Sequence, residues 1–134
     1  MKKKIWIGVA VVLVIGAAFG IRYLLSVRQY REQVASVVYA HADASGVPDG
    51  TFFGEFDTAL VGAKVEVQVQ DGKFTEINIL EHRHDRGATA EKVIDDILAE
   101  QRIDVDAVSG ATNSSIILKK AVDNALSSAQ GVER

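Results

Sequence analysis

The residue types best suited to chemistry lie together in residues 106–115, Asp-Ala-Val-Ser-Gly-Ala-Thr-Asn-Ser-Ser. Hydroxyl and amide side chains are concentrated there, and Gly110 and Ala111 leave room for a close approach to the backbone. An apolar pattern with helical spacing starts directly afterwards, at Ile116. Because a helix N-terminus carries unpaired N–H groups and a partial positive charge, this stretch suits a phosphate. An ordinary turn that caps the helix is the alternative interpretation.

Two histidines form the other candidate site. His82 and His84 would share one face of a continuing strand, with Glu81 and Asp85 beside them. Imidazole and carboxylate groups are ligands of divalent metals, so this group could hold one, although the spacing specifies no third ligand. The alternatives are a polar strand end that runs into a loop, or side chains that line a ligand pocket.

The composition excludes several classes of function. A chain of 134 residues accommodates one soluble domain. Its net charge of −3 and the scatter of its basic residues after the first few argue against a nucleic-acid partner. The absence of cysteine excludes disulfides, thiolate metal sites, a thiol nucleophile and a lipid-modified cysteine. It does not distinguish the two sides of a membrane.

The N-terminus predicts a membrane anchor over residues 1–25. Three lysines at positions 2–4 precede 17 residues without a charge, 5–21. A helix that continues to Leu25 is about 31 Å long, close to the roughly 30 Å hydrocarbon core of a bilayer. The lysines favour a cytoplasmic N-terminus, which places the rest of the chain outside the cell membrane on a single span. A cleaved signal peptide is the competing interpretation, because small residues occur near its end.

Beyond the anchor, the pattern predicts a stem or linker over residues 26–48, helical to about residue 42 and then broken by turn formers. Three strands are predicted after it, over 51–56, 63–70 and 74–80. The dipeptide Asp71-Gly72 is a strong hairpin signal between the last two.

The alternation of apolar and polar residues predicts which side chains share a face of each strand. The second strand places three valines on one face, Val65, Val67 and Val69. The third places Thr75, Ile77 and Ile79 on one face.

Two helices are predicted in the second half of the chain. Residues 89–101 carry one apolar stripe, and the helix after Ile116 carries another, with Lys119, Lys120 and Asp123 on its outer side. The chain therefore predicts an α+β fold, a small antiparallel meander packed with two helices. The domain is expected to span residues 49–128, followed by a polar tail at 129–134.

Residues 106–112, Asp-Ala-Val-Ser-Gly-Ala-Thr, resemble the flavinylation motif Asp-x-x-Ser/Thr-Gly-Ala-Thr. That motif belongs to the FMN-binding domain shared by the C subunit of sodium-pumping quinone reductase and the G subunit of Rnf-type electron-transport complexes. Small membrane-anchored or secreted flavoproteins carry the same domain. The resemblance extends over residues 49–128 and includes the opening at 49–54, the hairpin at 71–73 and the run Ile-Asn-Ile-Leu-Glu-His at 77–82.

The resemblance implies a role for each matching residue. Thr112 is the flavin acceptor, whose hydroxyl a separate flavin transferase joins to the phosphate of FMN as a phosphoester, with FAD as donor. The rest of the recognition motif is Asp106, Ser109, Gly110 and Ala111. Asn113 departs from many members, which have a bulkier or a hydroxyl residue there, but it is compatible with a helix start. The chain is far shorter than the respiratory-complex subunits.

Glu81, His82 and His84 are the remaining predicted neighbours of the cofactor. Their polar character at a strand end and the family's general layout suggest that they lie near the flavin ring and tune its potential.

These features predict a membrane-anchored electron-transfer flavoprotein that relays electrons on the outer side of the cytoplasmic membrane. The resemblance implies an electron carrier rather than a stand-alone enzyme, with a flavin transferase and unnamed redox proteins as partners. The alternative is a non-catalytic ligand-binding or docking module of a membrane complex, with FMN non-covalent or absent. A metal-binding domain centred on His82 and His84 is a third, weaker hypothesis.

Overall fold

The computed structural model describes residues 1–83 and 88–129. Within them a long N-terminal helix precedes three strands and two helices, which are α1 (Lys2–Ala35), β1 (Gly50–Asp57), β2 (Gly62–Gln70), β3 (Lys73–Arg83), α2 (Lys92–Glu100) and α3 (Thr112–Ala129). A 3₁₀ turn over Ala88–Glu91 leads into α2. The strands form an antiparallel sheet in the order β1-β2-β3. The predicted α+β meander with two helices behind an apolar N-terminal helix is therefore confirmed.

The central strand, β2, determines which face of the sheet is covered. Its three valines are buried as the alternation predicts: Val65, Val67 and Val69. β2 reaches β3 through Asp71 and Gly72, whose φ angles are 52° and 72°. Two successive positive φ values are what a tight type I′ hairpin turn requires, so this dipeptide fixes the register of the two strands.

The prediction that Thr75, Ile77 and Ile79 share one face of β3 is partly wrong, because the strand contains a bulge. Ile77 is buried and Ile79 half-buried, but Thr75 is exposed and Phe74 takes the buried place next to it. Two successive residues of β2 pair with Phe74 and Glu76, so Thr75 has no partner across the ladder. One unpaired residue reverses the alternation beyond it.

Helix α3 covers the inner face of the sheet and packs on β1 and β2. Its buried apolar side chains are Ile117, Leu118, Ala121, Val122, Ala125 and Leu126. The closest approach is at Gly54 in β1, where a Cβ atom would lie 2.1 Å from the carbonyl oxygen of Ala121 and 2.3 Å from the nitrogen of Ala125. Since no side chain fits there, Gly54 sets the distance between the helix and the sheet.

The segment between α1 and β1, residues 36–49, forms a strap across α3. α1 ends at Ala35, so the predicted helix to about residue 42 is too long. Ala44 and Val47 of the strap are buried in the same core as Val34 of α1. The backbone N–H groups of Ala40 and His41 bond to a side chain of α3 instead of continuing the helix.

That side chain is Asp123, whose carboxylate is fully buried. It accepts hydrogen bonds from the N–H groups of Ala40 and His41 at 3.0 and 2.9 Å, contacts Nδ1 of His41 at 2.9 Å, and accepts one from Nζ of Lys120 at 2.6 Å. Burial by itself raises the pKa of Asp123, but these hydrogen bonds, led by that of Lys120, lower it below its usual value. The group is therefore held as an anion inside the fold.

The strap also explains a wrong prediction about the outer side of α3. Lys119 and Asp123 have relative exposures of only 5% and 0%, and Lys120 is half-buried. The ammonium group of Lys119 donates to the carbonyl of Val105 at 2.8 Å and lies 5.3 Å from the centre of the Tyr39 ring. The helix thus has a second covered side, whose polar groups are satisfied by the strap and the chain before α3.

Helix α1 is continuous over 34 residues, which corresponds to a length of about 51 Å. It is long and apolar enough to cross a membrane, and its most apolar window is not buried against the rest of the protein. The last turns contact the domain. Val34 is buried in the core, and Oε1 of Gln33 accepts a hydrogen bond from the N–H of Ala59 at 3.3 Å.

We expect Gly54→Ala to destabilise the domain by about 1–3 kcal/mol, the usual range for overpacking a close-packed core. The added methyl group would overlap the backbone of α3. Thermal unfolding of the full chain in detergent, followed by circular dichroism, measures the change. Glu55→Ala, on the exposed side of the same strand, is the matched control and should unfold like the unmodified protein. An equally stable Gly54 variant would contradict the close contact.

The free energy of unfolding should fall on acidification through about pH 3.9, the ordinary pKa of aspartate. The pKa of Asp123 is lower in the folded chain, so the unfolded chain binds the proton first. The stabilisation is present above that pH and is lost as the pH falls through the folded-state pKa.

Asp123→Asn should lose this part of the pH dependence, and about 3 kcal/mol of stability at neutral pH because the buried donors lose their anion. Denaturant unfolding at several pH values measures both effects. Asp96→Asn, exposed on α2, is the control. An acid dependence that Asp123→Asn leaves unchanged would assign the effect to other carboxylates.

Candidate functional site

The turn that leads into α3 is held together by hydrogen bonds of one hydroxyl group, that of Ser115. The side chain of Ser115 is fully buried; its Oγ accepts a hydrogen bond from the N–H of Val108 at 3.0 Å and donates one to the carbonyl of Ala111 at 2.8 Å. The N–H of Ala111 in turn donates to the carbonyl of Val108 at 3.0 Å. These three bonds close residues 108–111 into a compact turn and determine where the next residue, Thr112, lies.

Gly110 occupies this turn for its backbone conformation. Its φ of +80° lies in the left-handed region, and a Cβ atom built there would meet no atom within 4 Å. The predicted close approach of a ligand to the backbone at this position remains a prediction. Glycine is favoured because other residues pay a steric cost at positive φ.

Thr112 is the first residue of α3 and is exposed, as is Asn113 beside it. Ser109 and Asp106, earlier in the motif, are also exposed, whereas Ala111 is buried with a relative exposure of 7%. The first N–H groups of a helix have no partner within the helix and point towards this end. An accessible hydroxyl beside such donors fits a phosphate group.

Sequence reasoning missed one neighbour of the motif, Tyr30. This residue of α1 is half-buried against the core. Burial raises the pKa of Tyr30 and the nearby side chain of Asn113, directly after Thr112, lowers it, so the two side chains are close together. The position of Tyr30 in the predicted stem gave no sign of this contact, which joins residues far apart in the chain. The helix that enters from the N-terminus therefore contributes to the surroundings of the motif.

The predicted neighbours Glu81 and His82 lie on β3, whose backbone makes no close approach to that of α3 in the described part of the chain. Glu81 is exposed and pairs across the sheet with Lys64. The side chain of His82 is almost fully buried, and its Nδ1 lies 3.1 Å from Oε1 of Glu91 in the 3₁₀ turn. That turn contacts α3, so the pair with Glu91 links His82 to the helix through the turn.

The structure describes two of the four residues of the metal hypothesis, Glu81 and His82. His84 and Asp85 lie outside the described residues. Among the described residues, no group of three or more histidine, aspartate or glutamate side chains is arranged to hold a metal ion.

A groove of about 560 Å³ runs between β3 and the 3₁₀ turn with α2. Its walls are both apolar and charged, formed by Ile77, Asn78, Ile79, Ala88, Thr89, Glu91, Lys92, Ile94 and Asp95. It therefore includes Glu91, the partner of His82, but no residue of the stretch 106–115.

Comparison with known proteins agrees with the resemblance noted in the sequence. The model of a family described as "FMN-binding domain" matches residues 62–127, from the start of β2 almost to the end of α3. The matched range contains His82 and the whole stretch 106–115. No curated protein matches the chain. The soluble domain of this chain belongs to the FMN-binding domain family.

Proposed function

We propose that this protein is a membrane-anchored electron-transfer flavoprotein that carries FMN on Thr112 through a phosphoester. The family match supports FMN binding, and the apolar helix α1 supports a membrane anchor. The main observation that supports a covalent link is the position of Thr112. It is the threonine of the motif, and its side chain is exposed at the first residue of α3.

An exposed hydroxyl is what a modifying enzyme needs. In the proposed reaction, Oγ of Thr112 forms a bond to the FMN phosphorus of FAD, the pyrophosphate bond breaks, AMP leaves and the hydroxyl gives up its proton. The flavin transferase supplies the catalytic groups, so the chain has to present the hydroxyl and the recognition motif. The exposed residues Asp106 and Ser109 are available for that recognition, and Gly110 gives the turn its shape.

The start of α3 also suits the product. The phosphodiester-like link retains a negative charge, and a helix N-terminus stabilises such a charge by about 0.3–1 kcal/mol. Asn113 and the first N–H groups of α3 are the groups placed to contact it. When bound, FMN supplies the electron-transfer chemistry, which the protein positions and tunes.

The proposed location follows from the N-terminal charges. Lys2, Lys3 and Lys4 favour a cytoplasmic N-terminus, so the FMN domain lies outside the cytoplasmic membrane. A covalent link suits that side, because a released cofactor would be lost to the surroundings. We also propose that the electron donor and acceptor are redox proteins at or outside the membrane. Glu81 and His82 are proposed to tune the reduction potential of the flavin.

Co-expression of the full chain with a flavin transferase tests the covalent link. The intact mass should increase by the mass of one FMN group less one water, and Thr112→Ala should abolish the increase. Thr89→Ala, an exposed threonine outside the motif, is the matched control and should keep it. An unmodified wild-type chain, or a modified Thr112→Ala chain, would refute the proposed linkage. If the wild-type chain is unmodified but releases FMN on denaturation, the result would favour the alternative of non-covalent FMN binding.

Ser115→Ala should reduce flavin attachment although it leaves Thr112 in place. Its loss removes the hydrogen-bonding partner of Val108 and costs about 1–3 kcal/mol, the usual range for a buried group left unsatisfied. The turn then no longer holds Thr112 in one position. The rate of flavin attachment, from intact mass over time, measures the effect. Ser128→Ala, near the other end of α3, is the control and should attach flavin at the normal rate. An unchanged rate for Ser115→Ala would contradict the proposed role of the Ser115 hydrogen bonds.

A further inference from the structure

The position of the motif relative to the membrane can be read from α1. The apolar segment ends near Leu25, and Tyr30, which packs against the core of the domain close to Asn113, follows five residues later in the same helix. At 1.5 Å per residue this separation is about 7.5 Å along the helix axis. The headgroup layer of a bilayer is about 5–8 Å thick on each side. Asn113 and Thr112 are therefore held at the outer limit of the headgroups.

We propose that the end of the domain that carries Thr112 faces the membrane and contacts phospholipid headgroups. We call this end, residues 109–113 with Tyr30, the attachment surface. The inference rests on the proposed function in one respect, that α1 is a membrane anchor. It goes beyond that function, because an anchored domain could equally hold its cofactor on the side away from the bilayer.

The helix between the bilayer and the domain has no flexible joint. Residues 21–35 contain neither glycine nor proline, and α1 is helical throughout this range. Sharp bends in helices usually occur at such residues. The contacts of Tyr30 and Gln33 with the domain then fix its orientation, because they lie on the same rigid helix as the anchor.

The packing of α3 identifies which end of the sheet lies near the bilayer. The side chain of Asn124 donates to the carbonyl of Glu55, and that of Ser128 to the carbonyl of Phe53, so α3 runs antiparallel to β1. The start of α3 consequently points towards the end of the sheet where β1 finishes. The hairpin after Gln70 lies at the opposite end, beyond the first residue of β1.

Charge supports the same orientation. Arg22, Arg28 and Arg31 flank the outer end of the apolar segment, and Glu32 is the acidic residue among them. The pair between Arg28 and Glu32 is highly exposed. Basic residues at this position are attracted to anionic headgroups, which draws the adjoining end of the domain towards the surface.

This orientation specifies the class of redox partner. A group on Thr112 is approached along the plane of the membrane, which favours a partner that resides in the bilayer over a soluble carrier from the surrounding solution.

The absence of cysteine allows a direct test. Ser109→Cys places a single thiol on the attachment surface, and Gln70→Cys places one at the opposite end of the sheet; both positions are exposed. Each full chain, labelled with the same fluorophore, is reconstituted into phosphatidylcholine–phosphatidylglycerol vesicles that contain a headgroup-linked quencher. We expect the label at position 109 to be quenched several-fold more strongly than the label at position 70.

A second variant tests the role of α1. Insertion of seven helix-forming residues between Ser26 and Val27 adds nearly two whole turns, so it raises the domain by about 10 Å with little rotation. The quenching at position 109 should then fall towards that at position 70. Equal quenching at the two positions, or quenching that the insertion leaves unchanged, would overturn the proposal.

The outcome is independent of flavin attachment, because the fluorophore reports on a chain without cofactor. Flotation of the chain with the vesicles tests the anchor, and intact mass tests the flavin link. In the flavin-loaded chain without a label, the same lipid quencher should reduce the fluorescence of the flavin itself. Quenching of the label but not of the flavin would show that the cofactor turns away from the membrane, against the proposal.

Discussion

The arrangement of α1, the strap and α3 depends on the hydrogen bonds that the buried carboxylate of Asp123 accepts. Moving a charge out of water costs several kcal/mol, so such a group is tolerated in a core only when donors surround it. Here the donors come from the strap and from α3 itself. The anion therefore adds a polar link between the strap and α3, which also share the apolar core through Ala44 and Val47. Because the strap follows α1 directly, this interaction also determines where the end of α1 lies relative to α3.

Helix α3 combines three roles that are usually assigned to separate elements. One side lies against β1 at the distance that Gly54 permits, the opposite side carries Asp123, and its first residue is Thr112. With 18 residues it is about 27 Å long. A rigid helix of this length carries the position of its packed middle to its exposed start. Substitutions at Gly54 therefore act on the site without touching it.

The parts of this structure that could be predicted from sequence depend on neighbours in the chain. The alternation of β2, the turn at Asp71-Gly72 and the motif that ends in Thr112 are all local patterns. Three features escaped prediction because they depend on distant segments. The bulge at Thr75 arises from pairing with β2, the burial of Asp123 from the strap, and the surroundings of Asn113 from Tyr30. A charged residue on an amphipathic helix is usually solvated, so only knowledge of the strap could have placed Asp123 inside.

The exposed position of Thr112 is compatible with the covalent link that we propose. A reversible site for a ligand of this size is normally a concave pocket that buries 70–90% of the ligand surface. In the part of the chain that the structure describes, the start of α3 is exposed at Thr112 and Asn113, and the groove beside β3 includes no residue of the motif. A helix N-terminus adds only about 0.3–1 kcal/mol for an anion, far below the roughly 8 kcal/mol that micromolar affinity requires. The bond to Thr112 that we propose would remove that requirement, because the cofactor would stay in place without a deep pocket and its ring would be accessible to a partner.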